Sequence, residues 1–382
     1  MKIVNRLAER FTKVTPLPEG LHHIQAAPQG EKPFRIHLRL RKDGSAVMIV
    51  NASTVLNLNP TAAEYAYHFI KGADPEEAAK QIAARYRVSK GMALEDFNDF
   101  VDRIQTLIST PDLDPVSFLD FERVPPHSAD LTAPLRLDCA LTYKLPRGTK
   151  AEYAPVKRVE RELSAEEWQT ILDKAWRAGI PHITFTGGEP TLRKDLPELI
   201  AHAEKNGQVC GLLTDGLKLA DKKYLDTLLQ TGLDHLLFLL QPENEKSWRA
   251  LEVIMPEDLF VTVHITINKK NAKKLDAILE RLAASEVKSI SASAADASLK
   301  AELQALANKA ARLNLTLTFD LPVPYSEQNP VALETAEDGV PPGAGRAWLY
   351  VEPDGDVLPA QGMADRALGN FLRDEWENIY HA

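Results

Sequence analysis

From residue 134 onward the apolar positions switch repeatedly between two periods. Short apolar or alternating runs at 135–143, 182–186, 209–214, 235–240, 261–268, 289–292 and 316–321 have the spacing of strands. Between them, 164–177, 194–205, 221–230, 274–284 and 299–313 repeat apolar residues every three or four positions, as amphipathic helices do. Ser164-Ala165-Glu166-Glu167 is a capping box, and Gly179 a helix stop. Strands alternating with helices build parallel sheets, so 134–330 is expected to be an α/β fold, a partial (β/α)6 TIM-like barrel. In its first strand Leu135, Leu137, Cys139 and Leu141 share the face turned to the helices. Asp138, Ala140 and Thr142 share the other. Thr184, Thr186, Thr262, His264 and Thr266 are expected to line the lumen.

Residues 1–110 have a different order. Three strands at 34–40, 46–50 and 54–58, the first two joined by the Lys42-Asp43-Gly44-Ser45 turn, precede three helices. Asn59 and Pro60 open a helix to Ile70, Asp74 and Pro75 open one to Tyr86, and 94–107 carries a third amphipathic pattern. This is a small winged-helix-like α+β module. Residues 111–133, with several prolines, read as a linker. At the other end, 322–346 is a Pro-, Gly- and acid-rich loop that would cross a barrel mouth. A hairpin around Pro353-Asp354-Gly355 and a short helix ending at Tyr380 complete a C-terminal extension over 331–382.

Composition narrows the chemistry. The 382 residues carry 54 Asp+Glu against 45 Lys+Arg, an acidic balance that argues against a nucleic-acid partner. No apolar run reaches the length of a membrane span, and Met1 to Phe11 lacks the apolar core of a signal peptide, so a cytoplasmic location is expected. The two cysteines, Cys139 and Cys210, stand far apart in strand interiors, and the ten histidines form no ligand pair at short spacing. No metal site is expected from them. Nor is there a phosphate-cradling Gly-rich loop or a Ser/His/Asp constellation.

The candidate chemistry lies where the 182–186 strand runs into Thr186-Gly187-Gly188-Glu189-Pro190-Thr191-Leu192. Two glycines allow unusual dihedrals or bare backbone against a ligand, and Glu189 places a carboxylate at the strand's C-terminal mouth. A tight turn with an exposed glutamate is the plainer alternative. Thr214-Asp215-Gly216 ends the next strand, and Asn271 lies just beyond the 261–268 strand.

This string resembles the S-adenosylmethionine-binding motif of the radical SAM superfamily. The resemblance implies cofactor contacts at Thr186, Gly187, Gly188, Glu189, Pro190, Thr214, Asp215 and Asn271. It also implies three cysteines after the first barrel strand to hold a [4Fe–4S] cluster. The corresponding positions here are Leu145, Thr149 and Glu152. A polar strand end that usually serves the cofactor is Leu239 and Gln241. The C-terminal hairpin is similar to the SPASM or twitch extension of peptide-modifying members, whose auxiliary-cluster cysteine would fall at Ala360. The N-terminal module, through its element order and Leu58-Asn59-Pro60-Thr61, resembles the PqqD-like RiPP recognition element, which takes up a precursor-peptide leader as an added strand. The combined resemblance implies a degenerate member: a radical-SAM-fold pseudoenzyme or accessory protein that binds a precursor peptide, with a cognate modifying enzyme as a second partner and no iron–sulfur cluster. The alternative is an enzyme that keeps S-adenosylmethionine or another nucleotide and performs non-radical group transfer, with Asp138, Asp215 or His264 handling protons. Cluster ligands supplied by a partner chain are a third case.

Overall fold

The computed structural model describes residues 14–26, 34–51, 54–110, 131, 133–318, 321–336 and 340–380. The expected linker lies outside these residues except for Leu131 and Ala133. They divide into two compact units, separated after Thr132.

The first unit is a four-stranded antiparallel meander, β1 (Gly20–Ala26), β2 (Phe34–Leu40), β3 (Ala46–Val50) and β4 (Thr54–Leu58), hydrogen-bonded in that order. Three helices come next: α1 (Pro60–Ile70), α2 (Pro75–Tyr86) and α3 (Lys90–Ser109). The Asn59 side chain accepts from Ala62 N, and Asp74 and Ser89 cap the next two helices in the same way. Ile36, Leu38, Met48 and Leu56 pack on Ala63, Ile82 and Phe97 to form the core. Strand β1 is not among the expected strands. It pairs along its whole length with β2, yet its two histidines and one glutamine hide the alternation that marks a strand. Helix α3 also begins earlier than its apolar pattern, because Ser89 supplies the cap.

The second unit alternates β5 (Arg136–Thr142), α4 (Ala165–Ala178), β6 (His182–Gly187), α5 (Leu196–Asn206), β7 (Val209–Thr214), α6 (Lys222–Gln230) and β8 (Leu233–Leu239). It continues through α7 (Glu245–Ile254), β9 (Phe260–Ile267), α8 (Leu275–Ala284), β10 (Ser289–Ala294), α9 (Lys300–Arg312) and the short β11 (Thr316–Leu317). Helix α7 is absent from the expected alternation. Asn244 caps it, and Trp248, Leu251 and Ile254 bury its inner face. Strands β5 to β11 are all parallel and neighbour one another in chain order, which gives the α/β partial barrel. Leu137, Cys139 and Leu141 of β5 enter one core with Trp168, Ile171 and Ala175 of α4.

The C-terminal hairpin, β12 (Trp348–Val351) and β13 (Asp356–Leu358), turns at Gly355 as expected. It does more than extend the chain. Strand β12 also pairs parallel to β5, Tyr350 opposite Asp138, so the sheet runs to ten strands with β14 (Gly369–Asn370) at its end. The expected six-stranded partial barrel is thus seven parallel strands, β5 to β11, within a wider ten-stranded sheet. A one-turn helix, α10 (Trp376–Ile379), comes last. Among the described residues no helix is long and apolar enough to cross a membrane.

Candidate functional site

The site is built at the C-terminal ends of β5, β6 and β7. Parallel pairing aligns Ala140 with Thr186, and after a register shift Thr142 with Gly187. That shift brings the end of β5 close against the two glycines. Gly187 has φ +132°, and a Cβ there would stand 2.2 Å from Thr142 O; one on Gly188 would stand 2.4 Å from Lys144 O. Gly188 N and Glu189 N donate to those same two carbonyls, at 2.7 and 2.9 Å. The bare backbone therefore serves a close approach of chain to chain within the fold.

Glu189 is buried, not an exposed turn residue. Its Oε1 accepts from Thr191 N at 2.9 Å, Thr191 Oγ1 at 2.5 Å and Thr214 Oγ1 at 2.7 Å, while Oε2 accepts from Asp215 N at 2.9 Å. Four donors from two strand ends converge on one carboxylate. Thr214 Oγ1 in turn accepts from Gly216 N, and Asp215 Oδ1 from Leu217 N. Burial, and then the charge of Glu189 beside it, raises the Asp215 carboxyl to about 8. At neutral pH the Asp215 carboxyl therefore keeps its proton.

Thr186, Gly187, Gly188, Glu189, Pro190, Thr214 and Asp215 thus come together, all of them buried. Thr186 Oγ1 faces inward without a hydrogen-bond partner among the described residues. Asn271 sits in the turn after β9, where Nδ2 donates to Thr266 O and Oδ1 accepts from Asn268 N, so its amide closes its own loop. His264 lies in the lumen with Nδ1 3.0 Å from Ser291 Oγ and Nε2 3.0 Å from Ser293 Oγ. Burial pushes its ring down to about 4, so it is neutral at physiological pH. Asp138 is held by a bidentate ion pair with Arg136, at 2.8 and 3.1 Å.

At the expected cluster positions, Leu145 packs in an apolar group with Tyr143 and Tyr325, Thr149 lies in a turn, and exposed Glu152 pairs with Lys150. Ala360 is buried. Cys139 and Cys210 are also buried, in β5 and β7, and burial raises the Cys139 thiol well above its usual range. Among the described residues no group of three or more His, Cys, Asp or Glu stands close enough to hold a metal ion.

A second polar group, above Tyr143, has no counterpart among the sequence-based expectations. Arg158, in the segment after β5, donates to Glu334 at 2.7 Å and to Glu352 at 3.0 Å; Tyr143 OH donates to Glu352 at 2.8 Å, and Tyr325 OH to Glu334. Distant segments supply it, so no local spacing announces it.

Residues 139–262 match the Radical SAM superfamily model. Over 163 residues the chain is 32% identical to the PqqA peptide cyclase of Granulibacter bethesdensis, covering 38% of this chain and 43% of that one. Over 145 residues it is 35% identical to the Fe-coproporphyrin III synthase of Methanosarcina barkeri, covering 34% and 36%. The matches span less than half the length of these curated relatives. In overall fold the chain resembles Streptococcus suis SuiB bound to S-adenosylmethionine (TM-score 0.60, 15% identity, 91% of this chain and 87% of that one). It equally resembles SuiB bound to the precursor peptide SuiA (TM-score 0.60, 13% identity, 94% and 89%). Residues 139–262 are thus similar to the Radical SAM superfamily, and the likeness to SuiB is one of fold.

Proposed function

We propose that this protein is a radical-SAM-fold accessory protein, or pseudoenzyme, of peptide modification: it binds a precursor peptide through its N-terminal unit and carries no [4Fe–4S] cluster. One observation carries the reading. The positions where thiolates would be needed hold Leu145, Thr149, Glu152 and Ala360, while both thiols are sealed in strand interiors. Aliphatic groups, a hydroxyl and a single solvated carboxylate do not fit a cluster that thiolates hold. No step of the proposed function passes through such a cluster.

The N-terminal unit supports the peptide half. Its meander has β1 and β4 as edges, and β4 alternates exposed Val55 and Asn57 with buried Leu56 and Leu58. An extended peptide added there would gain main-chain hydrogen bonds and alternate side-chain contacts. A cognate modifying enzyme is the partner to which the bound peptide would be presented, in the cytoplasm. The nucleotide-binding alternative draws support from Thr186 Oγ1, buried and unpartnered among the described residues beside Gly187. Against it stands Glu189, whose carboxylate already accepts four donors and has little capacity left for a ligand ammonium.

The test is a displayed random-peptide library panned against the full chain. Enriched peptides that bind at least about tenfold more weakly to Val55→Asp, with the barrel's melting unchanged, support the reading. Failure to enrich any peptide, or enrichment indifferent to Val55→Asp, contradicts it.

A further inference from the structure

Residues 321–336 cross the barrel mouth and bind to it at several points. Tyr325 N donates to Gly187 O at 2.8 Å, so the strap closes on the motif's own backbone. The Tyr325 ring is buried and stands edge-on to Tyr143, with centroids 5.4 Å apart. Val323 O accepts from Gln361 Nε2 at 2.9 Å, and Gln328 Oε1 from Asn268 Nδ2 at 2.9 Å. Beneath the strap lies a cavity of about 220 Å³ whose lining includes Arg136, Asp138, Ser293, Trp348 and Ala360. That is below the roughly 300–1,000 Å³ usual for a drug-sized ligand.

The fastening is asymmetric. Most of these contacts are main-chain or neutral, but Arg158 is a two-pronged ionic link. It holds Glu334 of the strap at 2.7 Å with one nitrogen and Glu352, just after β12, at 3.0 Å with the other. Glu334 is about one-seventh exposed on its side chain and Arg158 about one-quarter, so the link is partly withdrawn from water. Removing one member of such a link leaves a desolvated charge without its partner, which costs far more than losing a surface ion pair.

We propose that the strap is a built-in lid, latched by Arg158, which closes the lumen and stands where any ligand of the Gly187–Glu189 segment would approach. Opening needs the Arg158–Glu334 contact to break; Glu352, at the β12–β13 turn, keeps Arg158 in place to re-latch. The inference adds regulation of the mouth to the function proposed above, and rests on the absence of a cluster there.

Thiol labelling tests it. Ala360→Cys places a thiol in the cavity wall, and buried Cys139 and Cys210 report any wider unfolding. Maleimide modification at position 360 is followed in the otherwise native chain and with Arg158→Ala or Glu334→Gln added. Labelling at least about tenfold faster in the unlatched variants, with Cys139 and Cys210 still unreactive, is the expected result. Equal rates with and without the latch overturn the lid. Should Arg158→Ala expose Cys139 and Cys210, the milder Glu334→Gln decides on the same criterion. Iron and sulfide content of the same samples separates the two ideas: a cluster sinks the functional reading, whereas equal labelling rates sink the lid alone.

Discussion

Asp215→Asn should stabilise the protein, and by more as the pH rises. The folded-state carboxyl sits at about 8, raised by burial and by Glu189, against 3.8 when exposed. Between those values the folded chain holds a proton that the unfolded chain releases. Stability from this group is therefore fully present below pH 3.8 and is lost as pH rises toward 8. Each pH unit in that window is worth at most about 1.4 kcal/mol, a ceiling of about 2 kcal/mol at pH 5 and about 4 kcal/mol at pH 7. Asparagine keeps an oxygen to accept from Leu217 N and presents an N–H toward Glu189, without the proton to be taken up. Urea unfolding of both proteins, followed by circular dichroism from pH 5 to pH 8, reads the difference. The variant's advantage should grow by at least about 1 kcal/mol across the range. An advantage that is constant with pH, or a variant less stable at pH 7.5, would refute the account of a protonated Asp215.

Three further perturbations probe the same core. Glu189→Ala strands four donors in a buried site and should lower unfolding free energy by about 3 kcal/mol or more, seen as a fall in melting temperature. Gly187→Ala forces a Cβ to 2.2 Å from Thr142 O at φ +132° and should cost at least about 3 kcal/mol, read as loss of soluble protein or of cooperative melting. His264 and His235, both lowered by burial to about 4, bind fewer protons folded than unfolded, so their contribution is lost as pH falls from 6.5 to 4. Nitrogen chemical shifts of labelled histidine should show both rings still neutral at pH 5.5; charged rings there would contradict their burial.

How much of the fold and site is legible in the sequence depends on how local each signal is. Strand β7 stands out by its apolar run, and β6 and β9 by the alternation of apolar residues with Thr and His. Helix α7 escapes because, with Pro242 before it and Pro256 after, it reads as loop. Strand β1 lies at an edge, where half-exposed histidines satisfy the packing but not the pattern. At the site, Thr-Gly-Gly-Glu is conspicuous, yet the direction of the Glu189 carboxylate is not. That direction is set by Thr214 and Asp215, a strand away in space and about 25 residues away in sequence. The Arg158 network joins residues as far apart as 209 positions, beyond the reach of any spacing rule.

The measurement that bears most directly on the central claim is anaerobic reconstitution of the full chain with iron and sulfide, with desalting, metal analysis and electron paramagnetic resonance after reduction. The account predicts no stoichiometric iron or sulfide and no cluster signal, because Leu145, Thr149 and Glu152 offer no thiolate. Roughly four irons per chain, with a reduced-cluster signal altered by S-adenosylmethionine, would contradict it.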